Sequence, residues 1–192
     1  MLTNDQFEKI EITSSAQLRD WLEENYVSEA SYWLVTHKRS EGAKYVSVQQ
    51  VLDELIAFGW IDGIRRKLDD TRTMQLISKR KVQHWSRSYK DRAAKLIEDG
   101  HMHQAGLASI EEGKSNGLWH FMDDVDALIT PDDLVAALQN YPPAATHFDA
   151  YPDGYKRNVL RWLKLAKTDK TRQKRLSEIA TTSKINGRIP QM

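Results

Sequence analysis

Apolar residues recur along this chain at two spacings, one typical of helices and one typical of strands. Near the start, apolar side chains fall at i, i+3, i+4 and i+8, at Leu18, Trp21, Leu22 and Tyr26. This spacing puts them on one face of a helix, because side chains three and four residues apart share a helix face. The pattern predicts a first amphipathic helix over about 15–26.

The clearest helical pattern follows at 48–58. Its buried stripe is formed by apolar residues at helical spacing, which are Val48, Val51, Leu52, Leu55 and Phe58. Ser47 and Gln50 occupy the two positions of a capping box, in which each side chain bonds the backbone N–H of the other residue. Gly59 suits the left-handed conformation that often ends a helix. The sequence therefore predicts both ends of this helix.

Other segments are rich in aromatic and β-branched residues, which favour strands. Residues 31–37 form one such segment. Residues 60–79 carry sparse apolar residues on either side of Asp69-Asp70, a pair typical of turns, and so predict two strands joined as a hairpin. Together these segments predict a small antiparallel sheet of about three strands, covered by amphipathic helices.

From Tyr89 onward the apolar spacing is helical, apart from a packed loop predicted over 119–129. We therefore expect an α+β fold with a mixed N-terminal part at 14–85 and an all-helical C-terminal portion at 86–180. Residues 181–192 are predicted to form a frayed tail. With 192 residues and 40% apolar content, the chain is long enough for one sizeable core, and we expect 1–192 to form a single compact unit.

Charge is unevenly distributed along the chain, although the whole carries only +1. Residues 1–60 carry −5, residues 61–95 carry +7, residues 96–153 carry −10 and residues 154–192 carry +9. Two interpretations remain open. Either each basic block pairs with an acidic block inside the fold, or the two basic blocks form one face that attracts an anion.

Composition and spacing also limit the classes of site. Without cysteine, the chain has no disulfide, no thiol nucleophile and no thiolate zinc site. The six histidines form neither an i, i+4 pair nor a short cluster with carboxylates, so we expect no metal. No glycine-rich phosphate loop follows a predicted strand, and we expect no cofactor. Because the chain shows neither a cationic, apolar leader nor a long apolar run, we expect a cytoplasmic protein without a membrane span.

The residues from Phe58 to Trp85 combine tryptophans, many cations and an isolated acid. Asp62 lies beside Trp60 in an apolar setting. Arg65 and Arg72 are close enough in sequence to stabilise its charge. Tryptophans with arginines at the rim of a cleft suit a planar or anionic ligand, through stacking and paired hydrogen bonds. The predicted ligand-binding residues are Trp60, Asp62, Arg65, Arg72, Arg80, Trp85 and Ser86. A structural alternative stays open, in which Asp62 caps a turn and the tryptophans fill the core.

Ordered motifs spread over most of the chain resemble one family. The motifs are Gly59-Trp60-Ile61-Asp62-Gly63, Lys67-Leu68-Asp69-Asp70, Trp85-Ser86, Glu98-Asp99-Gly100-His101-Met102, Ala105-Gly106-Leu107 and Ala166-Lys167-Thr168-Asp169-Lys170-Thr171-Arg172-Gln173-Lys174-Arg175-Leu176. Between about residues 18 and 175 they resemble the YdeI/OmpD-associated family, also called bacteriocin-protection proteins. The resemblance adds weight to Arg80, Trp85 and Ser86. The family pattern differs at two places, with Thr-Pro-Arg at 78–80 and Asn at the position of Tyr89.

The resemblance implies a cytoplasmic protein that binds a ligand or protects against stress or bacteriocins, without an established catalytic activity. Its predicted partner is a small anionic ligand or an acidic protein surface. Two alternatives stay open, which are an enzyme that acts on a small anionic substrate with Asp62 as the acid–base group, and a weak nucleic-acid binder. We do not expect nucleic acid as a partner, because the aromatic residues among the cations are also needed on the apolar faces of the helices.

Overall fold

The structure, a computed structural model, describes residues 6–189 of the chain. Its strands are β1 (Lys9–Glu11), β2 (Ser31–His37), β3 (Trp60–Lys67) and β4 (Arg72–Lys79). Its helices are α1 (Ser15–Asn25), α2 (Val48–Ala57), α3 (Arg87–Glu98), α4 (Gln104–Ser115), α5 (Asp123–Asp126), α6 (Asp132–Gln139), α7 (Ala144–Asp149), α8 (Asp153–Lys164) and α9 (Asp169–Lys184). A 3-10 segment at Arg39–Lys44 follows β2. Within residues 6–189, no helix is both long enough and apolar enough to cross a membrane.

The described residues group into two compact units, unit 1 up to His120 and unit 2 from Phe121 onward. All elements after residue 86 are helices, which confirms the all-helical C-terminal portion. Two of these helices, α3 and α4, belong to unit 1 because they pack against α2. The prediction that 1–192 forms a single compact unit stays a prediction.

Unit 1 is built on a four-stranded sheet in the order β1-β2-β4-β3. The predicted hairpin at 60–79 is confirmed, since β3 and β4 are antiparallel on either side of Asp69-Asp70. β4 also pairs in antiparallel fashion with the whole of β2. The predicted sheet of about three strands gains a fourth, because β1 runs parallel to β2 and makes the sheet mixed. The α+β class is confirmed.

The main core of unit 1 lies on the side of the sheet that faces the helices. Leu34, Trp60 and Ile77 are fully buried there with the apolar stripes of α1 and α2. The ring of Trp60 packs edge-on against Trp21, and its Nε1 donates to the backbone oxygen of Tyr26 at 3.3 Å. The tryptophan that begins β3 is therefore a core residue with its polar atom satisfied.

Local interactions explain where α2 begins and ends. Gln50 N donates to Ser47 Oγ at 3.2 Å, and Ser47 N donates to Gln50 Oε1 at 3.0 Å, which confirms the predicted capping box. Gly59 has φ +72°, a left-handed conformation that favours glycine. A Cβ at this position would meet Ala105 O and Ser109 Cβ, each at 2.9 Å. Only glycine therefore lets the chain enter β3 this close to α4.

The described residues of unit 2 form the five helices α5 to α9, which bury a separate core that includes Phe148, Leu163 and Ile179. The loop predicted at 119–129 contains α5, a single helical turn that the apolar spacing does not reveal. The tail was predicted to begin at Thr181, but α9 extends to Lys184 because Ala180 and Ser183 are buried on its inner face. Residues 190–192 of the predicted tail lie outside the described residues.

Candidate functional site

A bulge in β3 gathers polar side chains on the helix-facing side of the sheet. Asp62 lies opposite Ile77 of β4, and Arg65 lies opposite Gln75. The register shifts between Asp62 and Arg65, so that residues 63 and 64 stand against a single residue of β4. Asp62 and Arg65 therefore face the same side as Gln75, although residues three apart in a regular strand face opposite sides.

Asp62 lies at the centre of a hydrogen-bond network. The hydroxyl of Tyr89, on α3, donates to Asp62 Oδ1, and Gln75 Nε2 donates to Asp62 Oδ2 at 2.7 Å. Arg65 Nη2 donates to Gln75 Oε1 at 2.5 Å and so orients the amide. Burial, together with the hydrogen bond to Asp62, raises the pKa of Tyr89, so its hydroxyl stays protonated and donates. The two arginines expected to stabilise the charge of Asp62 are placed differently: Arg65 is linked to it through Gln75, whereas Arg72 pairs with Glu11 and Asp69.

Arg80 lies next to this network and has only 6% of its surface exposed. Its guanidinium stacks on two rings, with the central carbon 4.1 Å from the Trp85 centroid and 5.0 Å from the Tyr89 centroid. Nη1 donates to the backbone oxygens of Gln83 and His84, at 3.2 and 3.3 Å. Nε and Nη2 are buried and have no hydrogen-bond partner among residues 6–189.

The two unpartnered nitrogens of Arg80 form one edge of its guanidinium. The N–H of Nε and one N–H of Nη2 point the same way, and this fork matches the two oxygens of a carboxylate or a phosphate. Burial lowers the pKa of Arg80 to about 10, so the side chain remains charged at pH 7. Each buried donor left without a partner costs on the order of 1–3 kcal/mol. Arg80 therefore presents a charged, desolvated donor edge that no group in residues 6–189 uses.

The ring of Trp85, on which the Arg80 guanidinium stacks, is held in place by α4 and by the segment that follows α4. The backbone N of Trp85 donates to Leu118 O at 3.0 Å, and its ring packs on Trp119 with centroids 5.1 Å apart. Gly113 of α4 lies directly against the indole, because a Cβ at this position would be only 2.6 Å from Trp85 Nε1. A side chain at 113 would displace the ring on which Arg80 stacks.

A cavity of about 280 Å³ adjoins the Arg80 site. Arg80 lines it together with Phe58, Gly59 and Ala105, which supply apolar wall, and with Glu112 of α4. A second space of about 10 Å³, room for about one water molecule, lies beside Arg80 and is also lined by Glu112. Arg80 therefore borders a space that a small molecule can enter, but its unpartnered Nε and Nη2 are themselves buried, so a ligand contacts them only after a neighbouring side chain moves.

The structure brings together Asp62, Arg65, Arg80 and Trp85 of the predicted site residues, and places the others elsewhere. Trp60 is a core residue. Arg72 lies on the opposite side of the sheet, since it is three residues from Gln75 along β4. There it contacts Glu11 Oε2 at 2.6 Å and Asp69 Oδ2 at 2.7 Å, and its hydrogen bond lowers the pKa of Asp69. Arg72 therefore stabilises the hairpin turn. Ser86 is the N-cap residue of α3, where its side chain makes no capping hydrogen bond.

Two residues of the network were not predicted, Gln75 and Tyr89. Gln75 is a polar residue at an inward position of a central strand, and a buried amide needs partners. Tyr89 is one of the positions at which the chain departs from the pattern of the family that it resembles. Both features are visible in the sequence, but neither shows that Gln75 and Tyr89 bond Asp62.

A larger cleft of about 480 Å³ lies among α1, α2 and α3. Four of its charged residues form two ion pairs, Arg19 with Glu54 at 3.0 Å and Arg92 with Asp53 at 2.6 Å. These pairs connect α2 with α1 and α3, so the charges of the cleft support the packing of the helices. Within the described part of the chain, no group of three or more His, Asp or Glu could hold a metal ion.

Comparison with protein families divides the chain into two matched segments. A model described as Domain of unknown function (DUF8412) matches residues 10–109, just over half of the chain, and includes the network and most of the cavity wall. A model described as Bacteriocin-protection, YdeI or OmpD-Associated matches residues 127–184. The chain matches no curated protein and no solved structure. The predicted resemblance is confirmed, but its motifs at 59–107 lie in the first segment, and only the closing motif at 166–176 lies in the second. The chain therefore belongs to the family of the domain of unknown function DUF8412, and its residues 127–184 match the YdeI/OmpD-associated model.

Proposed function

We propose that this protein binds a small anionic ligand in unit 1, with Arg80 as the anion receptor. The supporting observation is the edge formed by Nε and Nη2 of Arg80, which is buried and charged and has no partner among residues 6–189. A carboxylate or phosphate would accept two parallel hydrogen bonds from this edge. Binding would thus remove a desolvation cost that the free protein carries.

The surroundings of Arg80 favour a receptor role over a purely structural one. A structural buried arginine is normally paired with an acid, because an unpaired buried charge is costly. Arg80 makes no ion pair within residues 6–189, while nearby Lys79 and Lys81 both bond Glu29, at 3.0 and 2.6 Å. The rings of Trp85 and Tyr89 hold the guanidinium in a fixed plane, which lowers the entropy lost on binding.

The test measures anion binding by the full chain and by variants of Arg80. We expect acetate, 4-methylpentanoate or phosphate to raise the melting temperature of the wild type in a saturable manner. R80M should lose this effect, with affinity at least about tenfold weaker, because two charge-assisted hydrogen bonds are lost. R80K keeps the positive charge but lacks the paired N–H donors of a guanidinium, so its anion affinity should lie between those of the wild type and R80M. R87M is the matched control, since Arg87 is an exposed arginine paired only weakly with Asp91 at 3.9 Å.

The stability of R80M without ligand is a second measurement that separates a receptor role of Arg80 from a purely structural role. R80M removes the buried charge and its two unused donors, but it also removes the Nη1 hydrogen bonds to Gln83 O and His84 O and the stacking on Trp85 and Tyr89. Because these effects oppose each other, we expect unliganded R80M to lose no more than about 2 kcal/mol of unfolding free energy. A large loss of melting temperature in R80M, together with no anion effect on the wild type, would show that Arg80 is only structural.

The enzyme hypothesis with Asp62 as acid–base group has less support. Both oxygens of Asp62 already accept hydrogen bonds from neighbouring side chains, and Tyr89 separates it from the stacked face of Arg80. We therefore include Asp62 in the proposal as a residue that positions Tyr89. The description of the family that matches residues 127–184 supports a protective role, and we propose that ligand binding in the cytoplasm serves it.

A further inference from the structure

Glu112 is a second charged residue on the space that Arg80 lines. It stands on α4 and borders both the cavity of about 280 Å³ and the smaller space beside Trp85. Glu112 is an exposed residue, and no hydrogen bond or ion pair joins its side chain to another of residues 6–189. The preceding residue, Glu111, is instead paired with Lys114 at 2.6 Å. Of these two neighbouring acids, the one without a partner is the one that lines the cavity.

Glu112 and Arg80 have opposite charges but do not pair with each other. The other cations at this rim are already neutralised, since Lys79 and Lys81 share the carboxylate of Glu29. Of the charged residues that line the cavity, Arg80 and Glu112 are therefore the two without an ion pair among residues 6–189. A ligand that bears both charges would satisfy both, whereas a simple anion would place its charge near Glu112 without compensation.

The wall between the two charges is mainly apolar. Phe58, Ala105 and Ala108 line it, and Gly59 brings the backbone close without a side chain. The volume of about 280 Å³ is below the roughly 300–1,000 Å³ of sites for drug-sized ligands, so the ligand must be small. An apolar body of a few carbon atoms fits this wall.

We infer that the site takes a small zwitterion, with a carboxylate on the free edge of Arg80, an ammonium group at Glu112 and an apolar body between them. An apolar amino acid is the simplest molecule of this class. The inference rests on the proposed anion-binding function and adds the second charge. Glu112 is thereby the residue that distinguishes amino acids from plain carboxylic acids.

The experiment compares four probes with the full chain by isothermal titration calorimetry at pH 7. Leucine carries both charges, 4-methylpentanoate lacks the ammonium group and 3-methylbutylamine lacks the carboxylate. 6-Aminohexanoate carries both charges at a wider spacing. We expect one of the two zwitterions to bind about fivefold more tightly than either singly charged probe, the upper range for one partly exposed ion pair.

Variants of Glu112 and Glu111 test which residue binds the ammonium group. E112Q should remove the advantage of the zwitterion over 4-methylpentanoate, whereas E111Q, which removes the same charge one residue away, should keep it. If 4-methylpentanoate binds through Arg80 as tightly as both zwitterions, or if E112Q keeps the advantage, this inference is wrong and the anion-binding proposal stands. If no probe carrying a carboxylate binds, both are wrong.

Discussion

The hydrogen-bond partners of Asp62 are not its neighbours in the sequence. The nearest cations along the chain are three to ten residues away, yet its hydrogen bonds come from Gln75 and from Tyr89, 13 and 27 residues away. The Tyr89 hydroxyl is held protonated by burial, and its ring supports the guanidinium of Arg80. Asp62 thus acts on Arg80 in two ways, through its negative charge, which opposes the lowering of the Arg80 pKa by burial, and through the orientation of Tyr89.

Removing the Tyr89 hydroxyl tests this network. Y89F leaves Asp62 Oδ1 without its donor, and we expect unit 1 to lose about 1–2 kcal/mol of unfolding free energy. Urea unfolding followed by tryptophan fluorescence reports on unit 1, because five of the six tryptophans lie before residue 121. Y45F is the control, since Tyr45 is exposed and its hydroxyl bonds no described residue. Equal stability of Y89F and Y45F would contradict the proposed role of the hydroxyl.

Two helices of unit 1, α2 and α3, each follow a serine at the N-cap position, and the two serine side chains make different contacts. Ser47 completes a reciprocal capping box with Gln50 at the start of α2. Ser86 occupies the same position in α3, but its Oγ contacts Ser88 Oγ at 3.1 Å and caps nothing. The spacing Ser-x-x-Gln therefore identifies a working cap, whereas a serine before a helix does not.

This difference between the two caps is measurable. S47A should destabilise unit 1 by about 1 kcal/mol, because the N–H of Gln50 loses its acceptor. S86A should change stability by no more than about 0.5 kcal/mol, the usual range for exposed positions. Both variants are compared with the wild type by urea unfolding. A loss for S86A as large as for S47A would show that Ser86 has a structural role that its contacts do not reveal.

Within each unit, charge is arranged so that basic segments meet acidic ones. In unit 1, cations of 61–95 pair with acids of 1–60, as Arg92 does with Asp53. In unit 2, cations of 154–192 pair with acids of 96–153, as Lys164 does with Asp124 at 2.5 Å. These pairs agree with the first interpretation of the charge pattern, in which basic and acidic blocks neutralise each other inside the fold.

The ion pairs within each unit lead us to expect weak binding of nucleic acid. Because many cations are already neutralised, we expect no oligonucleotide to bind more tightly than roughly 10⁻⁵ M near physiological salt. Fluorescence anisotropy with single-stranded and double-stranded oligonucleotides at two salt concentrations measures this. Tight binding that weakens steeply with added salt would mean that phosphates compete successfully for the paired cations.

The sequence alone determined those elements whose stabilising interactions are local. The capping box of α2 joins residues three apart, Gly59 ends that helix through its own backbone conformation, and Asp69-Asp70 forms the hairpin turn. The helices and the hairpin follow from such short-range hydrogen bonds and from apolar spacing, so the α+β class was predictable. The family resemblance rests on the same continuous motifs.

Only the tertiary structure decided which side chains meet. β1 has three residues and is stabilised by its pairing with β2, more than twenty residues later, so no local pattern identifies it. The bulge in β3 turns Arg65 toward Gln75, whereas Arg72 falls on the other side of the sheet. The packing of α3 and α4 brings Tyr89 to Asp62 and Glu112 to the cavity of Arg80. These contacts join residues that are distant in sequence, and they form only when the elements pack.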